Sequence, residues 1–216
     1  MQQNSQVEFC RIIVARHETD RKGKRESPMH APVIFMLSDA PRQADWRAAL
    51  AHQPRHVGLV LRDYEHAARA QLAADMAAFC RRQNRAFAIA GDWRLARQYG
   101  AAFHCPSFML RRAALRGGLA RACDSAAVHS HAELIAAKQA GFGRVFIAPI
   151  FATQSHKGAR PLSLWRALPL LRAARRLGFS AYALGGMSDV SWHRLGGLRA
   201  ADGYAAIGAF QAAPAD

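Results

Sequence analysis

The sequence predicts an α/β protein made of a single (β/α)8 barrel, the TIM-barrel fold, preceded by a disordered basic N-terminal arm. Eight short apolar segments alternate with longer segments of helical spacing over residues 33–216, which is the strand and helix count of such a barrel. The alternative is an open, doubly wound sheet. No Gly-x-Gly-x-x-Gly turn follows the first strand, so a dinucleotide-binding sheet lacks its fingerprint.

The N-terminal arm differs in composition from the rest of the chain. Residues 16–30 are almost wholly charged or polar, so they cannot bury apolar surface and predict a disordered segment over residues 1–31. One domain is then expected over residues 32–216. Met29 lies directly before the first strand segment, which leaves the native start open between Met1 and Met29.

The strands and helices follow from two different apolar patterns. The strand segments are short, β-branched or aromatic, and bounded by Gly, Pro, Asp or Ser. They are predicted at 33–38, 56–61, 86–90, 101–105, 125–128, 144–149, 180–184 and 203–207. The clearest helix is predicted over 65–84, where apolar residues recur at steps of three or four from Ala68 to Phe79. Another is predicted over 163–177 and ends before Gly178.

The chain is strongly basic, with 30 Lys and Arg residues against 15 Asp and Glu and a net charge of +15. Such a balance is typical of proteins that bind nucleic acid or a membrane surface. Here the cations are almost all arginines, scattered through alanine-rich stretches. We interpret this bias as genomic composition, and we expect neither a nucleic-acid nor a membrane partner.

Cellular location is predicted from three absences in the sequence. No uncharged apolar segment approaches the roughly 18 residues that a membrane span needs. The polar first residues lack the basic-then-apolar order of a secretory leader. The four cysteines form no Cys-x-x-Cys pair and are expected to be reduced, which favours the cytoplasm.

Catalytic residues in a (β/α)8 barrel lie where strands end and the next loops begin. Gly185 and Gly186 follow the seventh strand, and Ile207 and Gly208 follow the eighth. Their lightly covered backbone N–H groups suit a phosphate, although the glycine pair could equally serve only to turn the chain. In the polar loop after the sixth strand, a further set could bind the same phosphate: hydroxyls from Thr153 and Ser155, and a cation from Lys157 or His156.

Two histidines follow the fifth strand. His129 and His131 lie two residues apart, with no third ligand within reach in the sequence, so a metal site is disfavoured. A single catalytic or hydrogen-bonding histidine fits better. The plainer alternative is a histidine whose hydrogen bonds are satisfied within a pocket.

The run from Val128 to Ala209 resembles the thiamine phosphate synthase/TenI family. In that family the fifth strand ends S-x-H-S-x-x-E, followed by G-P-[IV]-F-x-T-x-[ST]-K, P-L-G-L, G-G-[IM] and A-D-G-V-A-x-x-S. The corresponding stretches read AVHSHAE (127–133), APIFATQSHK (148–157), PLSL (161–164), GGM (185–187) and ADGYAAIGA (201–209). The five motifs occur in the same order here, and the first half of the barrel follows the layout more loosely.

This resemblance implies a (β/α)8 barrel that binds a thiazole phosphate. It implies that backbone N–H groups around Gly186, Ile207 and Gly208 hold the phosphate, and that Thr153 and Ser155 line the pocket. The family's synthases join this thiazole to hydroxymethylpyrimidine diphosphate, and magnesium assists the departing diphosphate. TenI-type members isomerise the thiazole phosphate instead, with the histidine that matches His129 moving the proton.

The groups that would handle diphosphate and magnesium are mostly changed. The family's Q-L-R-x-K after strand 2 reads VLRDY (60–64), which keeps Arg62 and places Tyr64 at the lysine position. The strand-3 N-D pair falls on Ala90 and Gly91, with Asp92 one place late as the candidate metal ligand. We expect Trp93, the residue after Asp92, to occupy part of the space where the family keeps metal and diphosphate.

Other positions depart from the family pattern on both sides of the site. The family's H-L-G-Q-x-D after strand 4 reads HCPSFM (104–109), so His104 matches and is expected to contact the phosphorylated substrate, while the aspartate is lost. The family's serine before the catalytic histidine is Ala127, and its final phosphate-loop serine is Gly208. Thiazole-phosphate features therefore persist better than diphosphate features.

Three functions remain open from the sequence. The first is thiamine phosphate synthesis with rearranged groups, in which Arg62, Asp63 and Asp92 replace the usual set. The second is thiazole tautomerisation with His129 as acid and base, which needs no metal. The third is a barrel that binds a small phosphorylated ligand without turnover.

Overall fold

The computed structural model describes residues 33–43, 45–116, 120–152 and 161–207, and it confirms the predicted fold. Eight parallel strands pair in chain order and close into a barrel, because β8 pairs with β1 from Val33 opposite Gly203 onward. The predicted arm over 1–31 lies outside the described residues. No helix in the described ranges is long and apolar enough to cross a membrane.

The predicted strand bounds agree with the structure within two residues. The strands are β1 Val33–Leu37, β2 Val57–Leu61, β3 Phe87–Ala90, β4 Ala102–Cys105, β5 Ser125–Val128, β6 Arg144–Ile147, β7 Ser180–Leu184 and β8 Gly203–Ala206. The largest difference is in β6, which ends at Ile147 before the cis peptide bond between Ala148 and Pro149.

The helices lie between the strands, as the periodicity predicts. They are α1 Trp46–Ala51, α2 Arg69–Arg82, α3 Trp93–Gln98, α4 Ser107–Arg116, α5 His131–Ala140, α6 Leu164–Arg176 and α7 Asp189–Leu195, with a 3-10 turn at Gly197–Arg199. The helix predicted over 65–84 begins only at Arg69. The residues before it form turns, in which the His66 side chain accepts a hydrogen bond from the backbone N–H of Ala68.

The barrel interior is filled by aromatic rings from three strands. Phe35, Phe146 and Tyr182 contact one another with centroid distances of 5.2 to 5.3 Å. Gly58 on β2 leaves the space that the Phe35 ring occupies, because a Cβ at Gly58 would lie 2.7 Å from that ring. Residues that alternate with these along the strands pack outward against the helices. The interior is therefore a packed core, and ligands can reach only its mouth, the end at which the strands have their carboxyl termini.

Buried charges at the opposite end of the barrel hold strands together. The fully buried Asp124 pairs with Arg97 and accepts backbone N–H groups from Phe103, at 2.7 Å, and Arg121, at 2.8 Å. Arg85 donates to backbone carbonyl groups before and within β2. Because their partners are structural, we assign these groups to stability rather than to chemistry.

Candidate active site

His129 is the first residue after β5 and is exposed at the mouth. Its Nδ1 lies 2.6 Å from the backbone oxygen of Ala148, which follows β6. A carbonyl oxygen only accepts hydrogen bonds, so Nδ1 carries the proton and Nε2 of the neutral ring carries a free lone pair. The fold therefore fixes His129 in the tautomer that can act as a base through Nε2.

The start of α5 fixes the backbone of His129. Ser130 caps this helix by accepting the backbone N–H of Glu133, and the Glu133 carboxylate accepts the N–H of His129 at 2.6 Å. His131 begins the helix and is exposed. The sequence singles out both histidines. His129 is the one whose ring contacts the end of the neighbouring strand, through the Ala148 oxygen.

The loop after β6 packs tightly against the two glycines after β7. Gly185 has φ +94°, and a Cβ there would lie 2.9 Å from the Cα of Pro149. Gly186 has φ +61°, and a Cβ there would lie 2.5 Å from the backbone oxygen of Ala152. Only glycine meets both the positive φ and the close approach. The pair thus has a structural reason of its own, and its role in phosphate binding remains a prediction.

The remaining residues predicted to bind phosphate are Thr153, Ser155, Lys157, Ile207 and Gly208. All of these except Ile207 lie outside the described residues. Ile207 is buried and packs with the interior cluster at the end of β8. The assignment of these five residues to the phosphate therefore stays a prediction.

His104 lies inside the barrel on β4. Its Nδ1 is 2.8 Å from the Ser125 hydroxyl, and its ring centroid is 4.9 Å from that of Phe146. Burial, with a smaller contribution from the positive charge of Arg62, lowers the pKa of His104 to about 4. The ring is neutral at pH 7, so it can donate or accept a hydrogen bond at the base of the mouth but supplies no charge to an anion.

The buried neutral His104 predicts a pH dependence of stability. Its pKa falls from 6.5 in the unfolded chain to about 4 in the folded protein, so only the unfolded chain takes up this proton between those values. Stability from this group is therefore complete above pH 6.5 and is lost as the pH falls toward 4, by roughly 3 kcal/mol in all. Urea unfolding of wild type and His104→Gln at a series of pH values checks this, because the variant should lack this part of the slope. Equal slopes would contradict it.

Arg62, the first residue after β2, is held by groups at the end of β1. Its backbone N–H donates to the Ser38 hydroxyl at 2.9 Å, and its Nη2 lies 3.4 Å from Oδ2 of the buried Asp39. The same carboxylate accepts from Arg42 at 3.2 Å. Arg62 is thus oriented at the mouth, near enough to His104 to affect its pKa.

The described carboxylates at the mouth accept backbone hydrogen bonds. Oδ1 of Asp92 accepts the backbone N–H of Leu95 at 2.9 Å and caps α3, and Oδ1 of Asp63 accepts the N–H of Ala40 at 2.7 Å. In the described ranges, no group of three or more His, Cys, Asp or Glu side chains is placed to hold a metal. The role of Asp92 as a metal ligand stays a prediction, and the structure gives its Oδ1 a second role as the cap of α3.

The profile of one protein family, thiamine monophosphate synthase, matches residues 39–210 of the chain. The chain belongs to this family. No curated protein matches the sequence significantly.

Solved structures share the fold of this thiamine monophosphate synthase family member. Thiamine phosphate pyrophosphorylase from Pyrococcus furiosus has a TM-score of 0.64 at 15% identity, over 81% of this chain and 84% of that one. A variant of the citrate synthase SbnG has a TM-score of 0.60 at 10% identity, over 90% and 91%. An HpcH/HpaI aldolase from Desulfitobacterium hafniense has a TM-score of 0.55 at 10% identity, over 82% and 86%. At these identities the likeness establishes the barrel alone.

Within this barrel, the structure groups the predicted residues unevenly. It brings Arg62 and His104 together on one side of the mouth, and it places His129 beside the end of β6. Ser38 and Asp39, which orient Arg62, are not among the residues that the sequence predicts for the site. They follow β1 directly, so the rule that selected the other strand ends could have found them.

Proposed function

We propose that this protein isomerises a thiazole phosphate by moving one proton, with His129 as both acid and base. The observation that carries the proposal is the contact between Nδ1 of His129 and the backbone oxygen of Ala148 at 2.6 Å. It leaves Nε2 as the basic nitrogen of an exposed ring at the mouth of a barrel whose family acts on small phosphorylated substrates.

The proposed reaction needs no co-reactant. Nε2 removes a proton from one position of the ligand, and the resulting imidazolium returns a proton to another position, so atoms and charge balance over the cycle. While the ring is cationic, its Nδ1–H bond to the Ala148 oxygen becomes charge-assisted and therefore stronger. The hydrogen bond from the His129 N–H to the Glu133 carboxylate holds the backbone that carries the ring during both transfers.

The second candidate is condensation of the thiazole phosphate with hydroxymethylpyrimidine diphosphate. Arg62 favours it, because its half-buried guanidinium could neutralise charge on a leaving diphosphate. However, that guanidinium already pairs with Asp39, and the carboxylates of Asp63 and Asp92 already accept backbone N–H groups. The described mouth therefore supports proton transfer on one substrate better than displacement of diphosphate.

Product analysis separates the two reactions. The full chain is incubated with the thiazole phosphate alone, and separately with both precursors and magnesium, and the products are identified by mass spectrometry and NMR. We expect isomerisation of the thiazole phosphate in the first mixture and no thiamine phosphate in the second. Thiamine phosphate formation without isomerisation would favour the condensation, and tight binding of the thiazole phosphate with neither product would leave a binding protein.

A further inference from the structure

We infer that Tyr64 determines the specificity of the barrel, because its ring forms a fixed wall over the ends of β3 and β4 that excludes a diphosphate-bearing second ligand. The wall consists of the rings of Tyr64 and Phe108. The inference rests on the proposed function only for the identity of the ligand that the barrel retains, a single phosphorylated heterocycle.

The Tyr64 ring lies against the backbone of Gly91, directly after β3. A Cβ at Gly91 would lie 2.9 Å from Cε1 and 3.1 Å from Cδ1 of Tyr64, and 3.8 Å from Cγ of Pro106 after β4. Gly91 also has φ +76°. Both the close contact with Tyr64 and the positive φ therefore require glycine at this position. The ring therefore occupies the space that any side chain at position 91 would enter.

Arg69 holds the wall in position. Its Nε donates to the backbone oxygen of Asp63 at 2.9 Å, and its Nη2 donates to that of Ala90 at 2.6 Å. These bonds tie the loop after β2 to the end of β3, and they place the guanidinium carbon 5.9 Å from the centre of the Tyr64 ring. Phe108, at the start of α4, extends the wall with an edge-on contact of 6.5 Å between ring centroids.

The Tyr64 ring lies beside positive charge that an anion would need. Burial raises the pKa of the Tyr64 phenol, and the nearby Arg62 and Arg69 oppose that rise without cancelling it. The phenol is therefore neutral at pH 7, and a neutral ring stands beside two guanidinium groups. A diphosphate that approached Arg62 and Arg69 from this side would meet the ring first.

The wall results from two departures from the family motif that act together. Tyr64 stands at the position of the motif's lysine and Gly91 at that of its aspartate. The exchange removes a cation and a carboxylate, and the glycine leaves the space into which the ring packs. The ring that lies on Gly91 is that of Tyr64. The expectation that Trp93 takes up part of this space stays a prediction.

Calorimetry with inorganic diphosphate tests the wall without any turnover. The full chain is titrated with diphosphate, with and without magnesium, as wild type and as Tyr64→Ala, Tyr64→Phe and Trp93→Ala. We expect Tyr64→Ala to bind at least tenfold more tightly than wild type, because both arginines become accessible. Tyr64→Phe keeps the ring and should match wild type. Trp93→Ala is the matched control, since Trp93 is 42% exposed against 45% for Tyr64.

Wild-type binding as tight as that of Tyr64→Ala would overturn the inference, and so would a folded Tyr64→Ala without the gain. Circular dichroism and thermal unfolding establish that each variant is folded. If Tyr64→Ala does not fold, Tyr64→Leu keeps an apolar side chain without the ring and has to show the same gain. Because diphosphate binding is measured without reaction, a missing isomerase activity with the gain intact would remove the proposed function and leave the wall.

Discussion

Replacement of His129 by alanine is expected to lower the rate of thiazole phosphate isomerisation at least 100-fold. General acid–base catalysis by a positioned histidine contributes about 10²- to 10⁴-fold, and the variant loses Nε2, the nitrogen that both removes and returns the proton. The ring is exposed, so its removal should leave the fold intact. Initial rates measured by NMR on purified, folded variants check the prediction.

The neighbouring histidine supplies the control for this experiment. His131→Ala removes an exposed imidazole two residues away, one that begins α5 rather than directly following β5. It should retain nearly the wild-type rate, because no contact of its ring enters the proposed mechanism. If both variants lost activity equally, or if His129→Ala kept the wild-type rate, another group would be the base.

Replacement of Phe146 by alanine is expected to lower the free energy of unfolding by about 3–5 kcal/mol. Phe146 is 1% exposed at the centre of the barrel, where its ring contacts Phe35, Tyr182 and His104. The change removes a large apolar side chain and leaves a cavity among rings that strands hold in place, so the site cannot collapse fully. Urea unfolding followed by circular dichroism measures the loss.

An exposed aromatic residue supplies the control for the core. Trp165 on α6 is 89% exposed, and Trp165→Ala should change the free energy of unfolding by less than about 0.5 kcal/mol. A small effect of Phe146→Ala, comparable to that of Trp165→Ala, would mean that the interior is not packed around the rings of Phe35, Phe146 and Tyr182.

The fold could be predicted from the sequence because its signals are local. Each strand is a short apolar run closed by Gly, Pro, Asp or Ser, and the alternation with helical segments leaves few topologies. The helix predicted over 65–84 begins only at Arg69 in the structure, so its predicted amino end was too early. Side-chain hydrogen bonds such as that of His66 compete with the helix there, and apolar periodicity does not register them.

The site could be predicted in part, because strand ends mark where functional residues lie but not what their atoms contact. Arg62 and His129 directly follow β2 and β5, while His104 lies buried within β4, and the roles of all three stay predictions. The free Nε2 of His129 depends on a carbonyl 19 residues away in the chain, and no pattern in the sequence indicates that contact. Asp92 illustrates the same limit. A carboxylate directly after a strand can bind a metal or cap the next helix, and the sequence does not distinguish the two roles.

Proton exchange into the ligand tests the central claim most directly. The thiazole phosphate is incubated alone with the protein in D2O, and deuterium incorporation is followed by NMR for wild type and His129→Ala. We expect exchange by wild type without added divalent cation or pyrimidine diphosphate, and at least 100-fold slower exchange by the variant. No exchange by wild type, together with thiamine phosphate formation from both precursors and magnesium, would contradict it.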